Sequence, residues 1–393
     1  MTRTDGRLQV ALVALCAAVF LDSMDLSLMG VALPAIGRDL SLPESTLQWL
    51  MSGYAVAYGG FLLLGGRIAD LFGRRRVFLL SLAGATGYTA GLIASGLLTE
   101  ISWRLVFFLP VPIALLVLAA APLVLPRGVR PPGAREGFDA VGAVAVTGGV
   151  LLLVFALTEK SWPAGVVAVL LLGAFVVIER RRSAPLVPLE VFRSGTVGAA
   201  NLAALAWACA TIGWQFVAVL YLQQVLDYTP LTTGLGIVPM GLAIVITANL
   251  AGRLISRYGL GRVAAAGMLI QGAGILLFLR AGATGDYLTV LLPALVVHGI
   301  GNGLSFPSLN IAAVAGLPDE RQGLASGLVT SAVQIGAGIG VAVLASMMTL
   351  GGSTLAGYRI AFLMAGGFSL IGALAAAFGL RPRRPAPVPA PTV

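Results

Sequence analysis

Charge is what this 393-residue chain has least of: Asp, Glu, Lys and Arg make up 10% of it, against about 25% in soluble domains. With 58% hydrophobic residues and a mean hydropathy of +0.96, that scarcity excludes a soluble fold. Lysine occurs once, at Lys160, so there is no phosphate-cradling loop with its lysine, and an ion gradient rather than ATP is the expected energy source. Histidine also occurs once, at His298, which removes histidine-based metal chemistry. The two cysteines, Cys16 and Cys209, both fall inside apolar runs, where neither a disulfide framework nor a metal site is expected. No nucleophile–base pair stands out, so the chain does not read as an enzyme and no cofactor or metal is expected. The first apolar run is too long for a cleavable leader and lacks a small-residue cleavage site.

What remains is a series of apolar runs. A hydrocarbon core of about 30 Å needs roughly 20 apolar residues per helix. On that measure spans fall near 8–33, 47–66, 77–98, 105–125, 139–158, 163–179, 196–222, 233–253, 262–281, 288–313, 323–348 and 358–380. Glycine at 51 positions and proline at 21 fit membrane helices, whose small residues let backbones approach closely. The net charge of +9 does not signal nucleic-acid binding, because the arginines recur in short clusters between the runs and form no single basic face.

Those clusters orient the chain. Alternating the loops leaves Arg38, Arg104, Lys160, Arg280 and Arg359 outside and every other basic residue inside, as the positive-inside rule requires. One missed span would reverse all later loops and spoil the asymmetry. The expected protein is therefore all-α and polytopic, with about twelve spans, in the cell membrane with both termini cytoplasmic. Its divisions are a four-span N-terminal bundle at 1–126, a linker and two-helix insert at 127–195, a six-helix C-terminal bundle at 196–381 and a disordered cytoplasmic tail at 382–393.

Acids inside the first run are the chemically telling residues. Asp22 and Asp25 lie three apart and share a helix face. A carboxylate at depth is costly unless hydrated or paired, so such residues usually face a cavity. Burial and mutual repulsion would let one of the pair hold a proton, which suits proton exchange; the alternative is that one acid merely solvates near the headgroups. Gly84, Gly87 and Gly91 make a smooth stripe suited to helix contact. Tyr54 and Tyr58 on the second span, with Trp214 and Gln215 on the seventh, are candidates to line an aromatic cavity for a lipophilic cation. Trp49 and Tyr221 read equally well as interface anchors, and His298, Asn302 and Asn310 as interhelical hydrogen-bonding groups.

One loop carries a family pattern. Gly66-Arg67-Ile68-Ala69-Asp70-Leu71-Phe72-Gly73-Arg74-Arg75-Arg76 resembles the cytoplasmic loop motif of the major facilitator superfamily of transporters. It is echoed by Gly252-Arg253-Leu254-Ile255-Ser256-Arg257-Tyr258-Gly259, an internal repeat of the kind from which secondary transporters are built, with the substrate site near the midplane between the repeats. Ser256 replaces the acid in the second copy. Residues 24–34, 221–230 and 323–327 resemble segments of the fourteen-helix drug:proton antiporters of that superfamily, although Gly30 stands where asparagine is usual.

The resemblance implies a bacterial secondary transporter that exports lipophilic or cationic drugs by proton-coupled alternating access and confers antibiotic resistance. Asp22 and Asp25 would couple protons, and Gly66, Arg67, Asp70, Gly73, Arg74 and Arg75 would form a gating loop. Gly84, Gly87, Gly91 and Gly96 would be the remnant of an antiport motif, in which Leu92 now occupies a proline position and Ser95 a glycine position. Its partners would be a small-molecule substrate and the lipid bilayer, with no nucleic acid, and the protein is expected to be a monomer. The chain departs from the family in one large respect. Four spans precede the insert where the family has six, and residues 77–98 read as a splice of the third and fifth helices, joined near Ala83, without the fourth helix and its arginine. Two further readings are a transport-incompetent shortened relative and an importer of a small metabolite.

Overall fold

The computed structural model describes residues 13, 16–17, 20–21, 24, 28–43, 46–53, 74–116, 140–181, 196–282, 286–315, 317, 319–350 and 355–380, with backbone alone at 74–86, 140, 143 and 319–321. Those residues are almost entirely helical, and no strand occurs among them. In chain order the helices are α1 (28–39), α2 (46–53), α3 (Arg74–Ile101), α4 (Arg104–Leu116), α5 (Ala140–Thr158), α6 (Trp162–Arg181), α7 (Val197–Val225), α8 (Pro230–Tyr258), α9 (Leu260–Arg280), α10 (Tyr287–Val314), α11 (Asp319–Leu350) and α12 (Leu355–Gly379). The spans expected at 77–98 and from 139–158 onward coincide with α3 and α5 to α12, while those expected at 8–33, 47–66 and 105–125 lie partly outside the described residues. Among the described residues, α6 to α12 supply seven helices long and apolar enough to cross a membrane.

Local chemistry explains where several of them begin and end. Thr229 caps α8 by accepting from the Thr232 N–H at 3.2 Å, and Pro230, which has no N–H to satisfy, fills the first turn. Gly259 closes that helix at φ +89°, a conformation L side chains rarely adopt. Asp286 caps α10, accepting from the Leu288 N–H at 3.1 Å and from the Thr289 hydroxyl at 2.7 Å. Pro239 and Pro307 lie inside α8 and α10, which membrane helices tolerate because neighbouring helices satisfy the freed carbonyls.

Packing sorts the helices into two groups. In the rear group α7 is the central post, flanked by α11, α12 and α10, while α9 lies against α10 and α12, and α8 against α10. The α7–α11 crossing is glycine on glycine: a Cβ at Gly213 would stand 2.8 Å from the Gly340 carbonyl carbon, so only glycine permits that approach. In the front group Met24, Leu28, Ala32 and Ile36 meet Val106 of α4 in a separate core. Helix α3 joins the groups. It packs along α8 and also against the first helix, where a Cβ at Gly87 would meet the Phe20 backbone. The α5–α6 pair lies at one side, with Val150 and Val154 of α5 against Ala342 of α11 and Trp49 of α2. Gln48 Nε2 donates to Thr158 Oγ1 at 2.8 Å, and Ser346 Oγ donates to the Leu157 carbonyl at 3.0 Å.

Candidate functional site

The polar groups of interest collect where α1, α3 and α7 meet. Gln215 is 1% exposed and its side-chain amide points at α1, where a Cβ on Gly30 would lie 3.5 Å from Gln215 Nε2. That amide nitrogen has no hydrogen-bond partner, while the Tyr88 phenol of α3 comes within hydrogen-bonding reach of the same side chain. Eight residues further along α7, Gln223 Nε2 donates to the Val31 carbonyl at 3.2 Å and leaves its own Oε1 unmet. Ser95 Oγ on α3 donates to the Leu28 carbonyl at 2.6 Å. The seam is thus held by side-chain amides and a hydroxyl reaching for the backbone of α1, with spare capacity for a ligand at Gln215 and Gln223.

Local sequence explains the arrangement. Gly30 leaves room opposite Gln215 that an asparagine would fill. Helix α7 also ends in a π-helical turn at Tyr221–Val225, a distortion that favours functional sites, and this turn carries Gln223 and Gln224. Gln224 Oε1 accepts from Tyr358 at 2.9 Å, and Tyr221 donates to the Gly282 carbonyl at 2.6 Å. The α3–α8 contact beside the seam depends on small residues: a Cβ at Gly96 would lie 2.9 Å from Leu231 Cα, and one at Gly234 would lie 3.2 Å from the Leu92 carbonyl carbon. Gly91 is buried on the same helix. Gly87 and Gly96 thus each sit at a close helix approach.

Trp214 lies behind the seam. It is 1% exposed and packed inside the rear group, edge-on to Phe278 at 5.2 Å and stacked on His298 at 4.2 Å. His298 makes no interhelical hydrogen bond, for neither ring nitrogen has a partner. Asn310 donates to the Phe306 carbonyl of its own helix at 2.9 Å. The interhelical polar contact in this region is instead Gln271 Nε2 donating to Thr211 Oγ1 at 2.8 Å, with Ser305 Oγ donating to Gln271 Oε1 at 3.3 Å.

At the Thr229 end of the seam the groups are charged. Arg104 pairs with Asp39 at 3.2 Å and lies over the Trp103 ring at 4.4 Å, while Trp103 Nε1 donates to Asp39 at 2.8 Å. The Trp103 bond, then the Arg104 charge, holds the Asp39 carboxyl below its ordinary range despite some desolvation. Thr229 Oγ1 donates to Glu100 Oε1 at 3.2 Å, linking the ends of α3 and α8.

Asp22, Asp25, Tyr54, Tyr58, Gly66, Arg67, Asp70 and Gly73 lie outside the described residues, while Arg74, Arg75 and Gly84 are described only as backbone of α3. Sequence reasoning found Gln215 and noted Ser95 only as a departure from a motif, and it gave no site role to Tyr88, Gln223, Thr211 or Gln271. The signal for Gln223 was available: two glutamines eight apart on an apolar helix fall within one broad stripe.

A bundle of apolar helices in two groups, with uncommitted amides at the seam between them, has the build of a secondary transporter, whose site lies between its bundles. The sequence profile of the Major Facilitator Superfamily matches residues 15–86, 81–341 and 202–392, and the chain belongs to that superfamily. It is 32% identical to the puromycin resistance protein pur8 of Streptomyces alboniger, over 88% of this chain and 82% of that protein. Its identity with the cephamycin export protein CmcT of Amycolatopsis lactamdurans is also 32%, over 88% of this chain and 86% of the other. With the lincomycin resistance protein of Streptomyces lincolnensis it is 30%, covering 95% and 92%.

Among solved structures, a bacterial homologue of the human lysosomal transporter Spinster, inward-facing and unoccupied, superposes with a TM-score of 0.60 at 15% identity, covering 95% of this chain and 97% of that one. The POT family transporter PepTSo gives 0.59 at 14% identity, covering 93% and 97%. Both likenesses concern the fold. The first two profile matches overlap at 81–86, and the second and third at 202–341. The pur8 alignment also runs over 418 positions, more than this whole chain can supply.

Proposed function

We propose that this chain is a proton-coupled exporter of lipophilic, mostly cationic, small molecules that works by alternating access between its front and rear groups. The observation that carries the reading is the seam, where Gln215 and Gln223 of α7 reach α1 at Gly30 and Val31 with hydrogen-bonding capacity to spare. Asp25 stands five residues before Gly30 in the sequence. A proton taken by Asp25 or Asp22 and a ligand seated at the seam would then compete for one short stretch of the chain, which is the requirement for exchange. Support for export comes from relatives named for resistance and export. Asp70 with Gly66, Arg67, Gly73, Arg74 and Arg75 would act as the cytoplasmic gate, breaking and remaking charge-assisted contacts as the groups rock. Tyr54 and Tyr58 would add aromatic surface to the cavity. The proton gradient would be the energy source, both termini would be cytoplasmic, and the protein would act as a monomer.

The test is ethidium movement in proteoliposomes with an imposed pH gradient. Ethidium export with proton counterflow is expected, with at least a tenfold loss of the coupled rate in Asp25→Asn, the order of effect expected when a group essential to the transport step is removed. Ethidium export without proton movement would sink the coupling. Movement only in the import direction would replace export by uptake.

A second reading has its own observation. The pur8 alignment, longer than this chain, would fit a chain short of one front-group helix pair, which could fold without transporting. Against it, α1 is still enclosed by α3 through Ser95 and by α7 through Gln223. Inserting a relative's helix pair at Ala83 would create activity from nothing on this second reading, and would change an existing activity only modestly on the first.

A further inference from the structure

His298 is the chain's one histidine, fully buried, with both ring nitrogens unpartnered. Its imidazole stacks on the Trp214 indole with ring planes 28° apart. Helix α9 closes over it: a Cβ at Gly274 would stand 2.6 Å from His298 Cα. Beside it, Gly299 is pressed on α8, where a Cβ would stand 2.9 Å from Ala243 Cβ. Trp214 of α7 faces the imidazole, as does Gln271 of α9, whose backbone approaches the ring without completing a hydrogen bond, while Thr211 of α7 bonds the Gln271 side chain and Met240 and Ala243 of α8 face the neighbouring Gly299. No charged side chain is buried here among the described residues. A phenylalanine would fill the same space with no polar atom to desolvate, so packing alone does not account for an imidazole.

We infer that His298 is a second proton-binding site, inside the rear group, whose affinity for the proton changes as α7 moves against α10. The inference rests on the reading of the chain as a proton-driven transporter. With the pocket sealed, an imidazolium would have no counter-charge and at best one backbone acceptor, so the neutral ring is favoured. Water admitted between α7 and α10 would solvate the ring nitrogens and deliver the proton. By linkage, protonation then favours the opened arrangement to the same extent that opening favours protonation. The opening is coupled to the ligand seam through adjacent residues: Trp214 covers the imidazole, and Gln215, next in sequence, faces Gly30 of α1. His298, Asn302 and Ser305 recur at helical spacing on one face of α10, and Ser305 joins the Gln271–Thr211 hydrogen bonds. A polar path thus leads away from the imidazole along the α7–α10 contact.

A single histidine makes the test direct. The full chain, labelled with nitrogen-15 histidine and held in lipid nanodiscs, gives one imidazole signal, followed from pH 5 to pH 8 with and without ethidium. Conversion to the imidazolium within that range, at a pH that ethidium shifts, is the expected result. His298→Gln should in addition move the pH of half-maximal ethidium export by about one unit while the protein still elutes as a folded monodisperse species. A ring that stays neutral throughout the range overturns the inference, whether or not the Gln variant folds. If the wild type exports ethidium and its ring stays neutral, only this inference fails. If the wild type moves no ethidium, the export reading fails and the titration still decides for His298.

Discussion

Helices α6 and α7 are both long and apolar, yet 11% of the apolar window of α6 is buried against 89% for α7. Apolarity places a helix in the membrane but does not say whether it faces lipid or forms the centre. What distinguishes the two is the kind of residue between the aliphatic ones. Helix α6 runs through Val166, Val167, Val169 and Leu170, all exposed, and in a bilayer such side chains need nothing but lipid. Helix α7 carries Thr211, Gly213, Gln215 and Gln223, each of which demands a neighbour: a hydrogen-bond partner for the polar groups, a close backbone for the glycine.

The largest effect that would test this contrast is steric. Gly340→Leu would place a side chain where a Cβ already stands 2.9 Å from the Cys209 carbonyl carbon, and backbone cannot retreat as a flexible side chain can. Overpacking of this kind costs about 1–3 kcal/mol or more, so a marked fall in detergent melting temperature and in monodisperse yield is expected. Val169→Leu on α6, 64% exposed, should change neither. Equal damage from both would mean that α6 is not lipid-facing.

Next in size is Gly234→Val at the α3–α8 contact. There a Cβ would meet the Leu92 backbone, forcing apart the α3–α8 contact between the front and rear groups. Ethidium export should fall about tenfold, as misplacement of a working element does, with a smaller loss of melting temperature than for Gly340→Leu. Thermal loss without loss of export would make this contact purely structural.

Much of the fold was legible beforehand because a bilayer forces regularity. Runs of about 20 apolar residues placed the described helices, and even the short run at 163–179 is the helix Trp162–Arg181. The site was less legible. Periodicity gives Trp214 and Gln215 adjacent positions on one helix, but only the neighbours decide that Gln215 meets α1 while Trp214 turns inward to His298 and Phe278. Ser95 stood out as a departure from the family pattern, and nothing in the chain foretold its bond to the Leu28 carbonyl.

Gln215→Ala sharpens the comparison at the level of one side chain. The amide nitrogen has no partner to lose, but the side chain is buried and within reach of the Tyr88 phenol, so a stability loss of about 1–3 kcal/mol is expected from the cavity and the lost contact. A hydrogen bond to a seated ligand is worth about 1 kcal/mol. The ethidium concentration for half-maximal export should therefore rise by roughly fivefold, with the maximal rate little changed. A changed maximal rate at constant half-saturation would assign Gln215 to the moving parts instead of the seat.

The smallest effect belongs to the charged end of the seam. Asp39 accepts from Trp103 and pairs with Arg104, both on the α3–α4 side of the front group, but it is solvent-exposed and such pairs contribute little. Its folded carboxyl is held below the ordinary value of 3.8, first by the Trp103 bond and then by Arg104. A depressed carboxylate lends stability above its ordinary value and loses it as pH falls through the folded one. The wild type should therefore lose a slight part of its melting temperature on going from pH 5 to pH 2.5 that Asp39→Asn, which keeps an acceptor for Trp103 but no charge, does not lose. Identical acid dependence in the two proteins would show that the contact is idle, and that the front group is held at this end by the Met24, Leu28 and Val106 core alone.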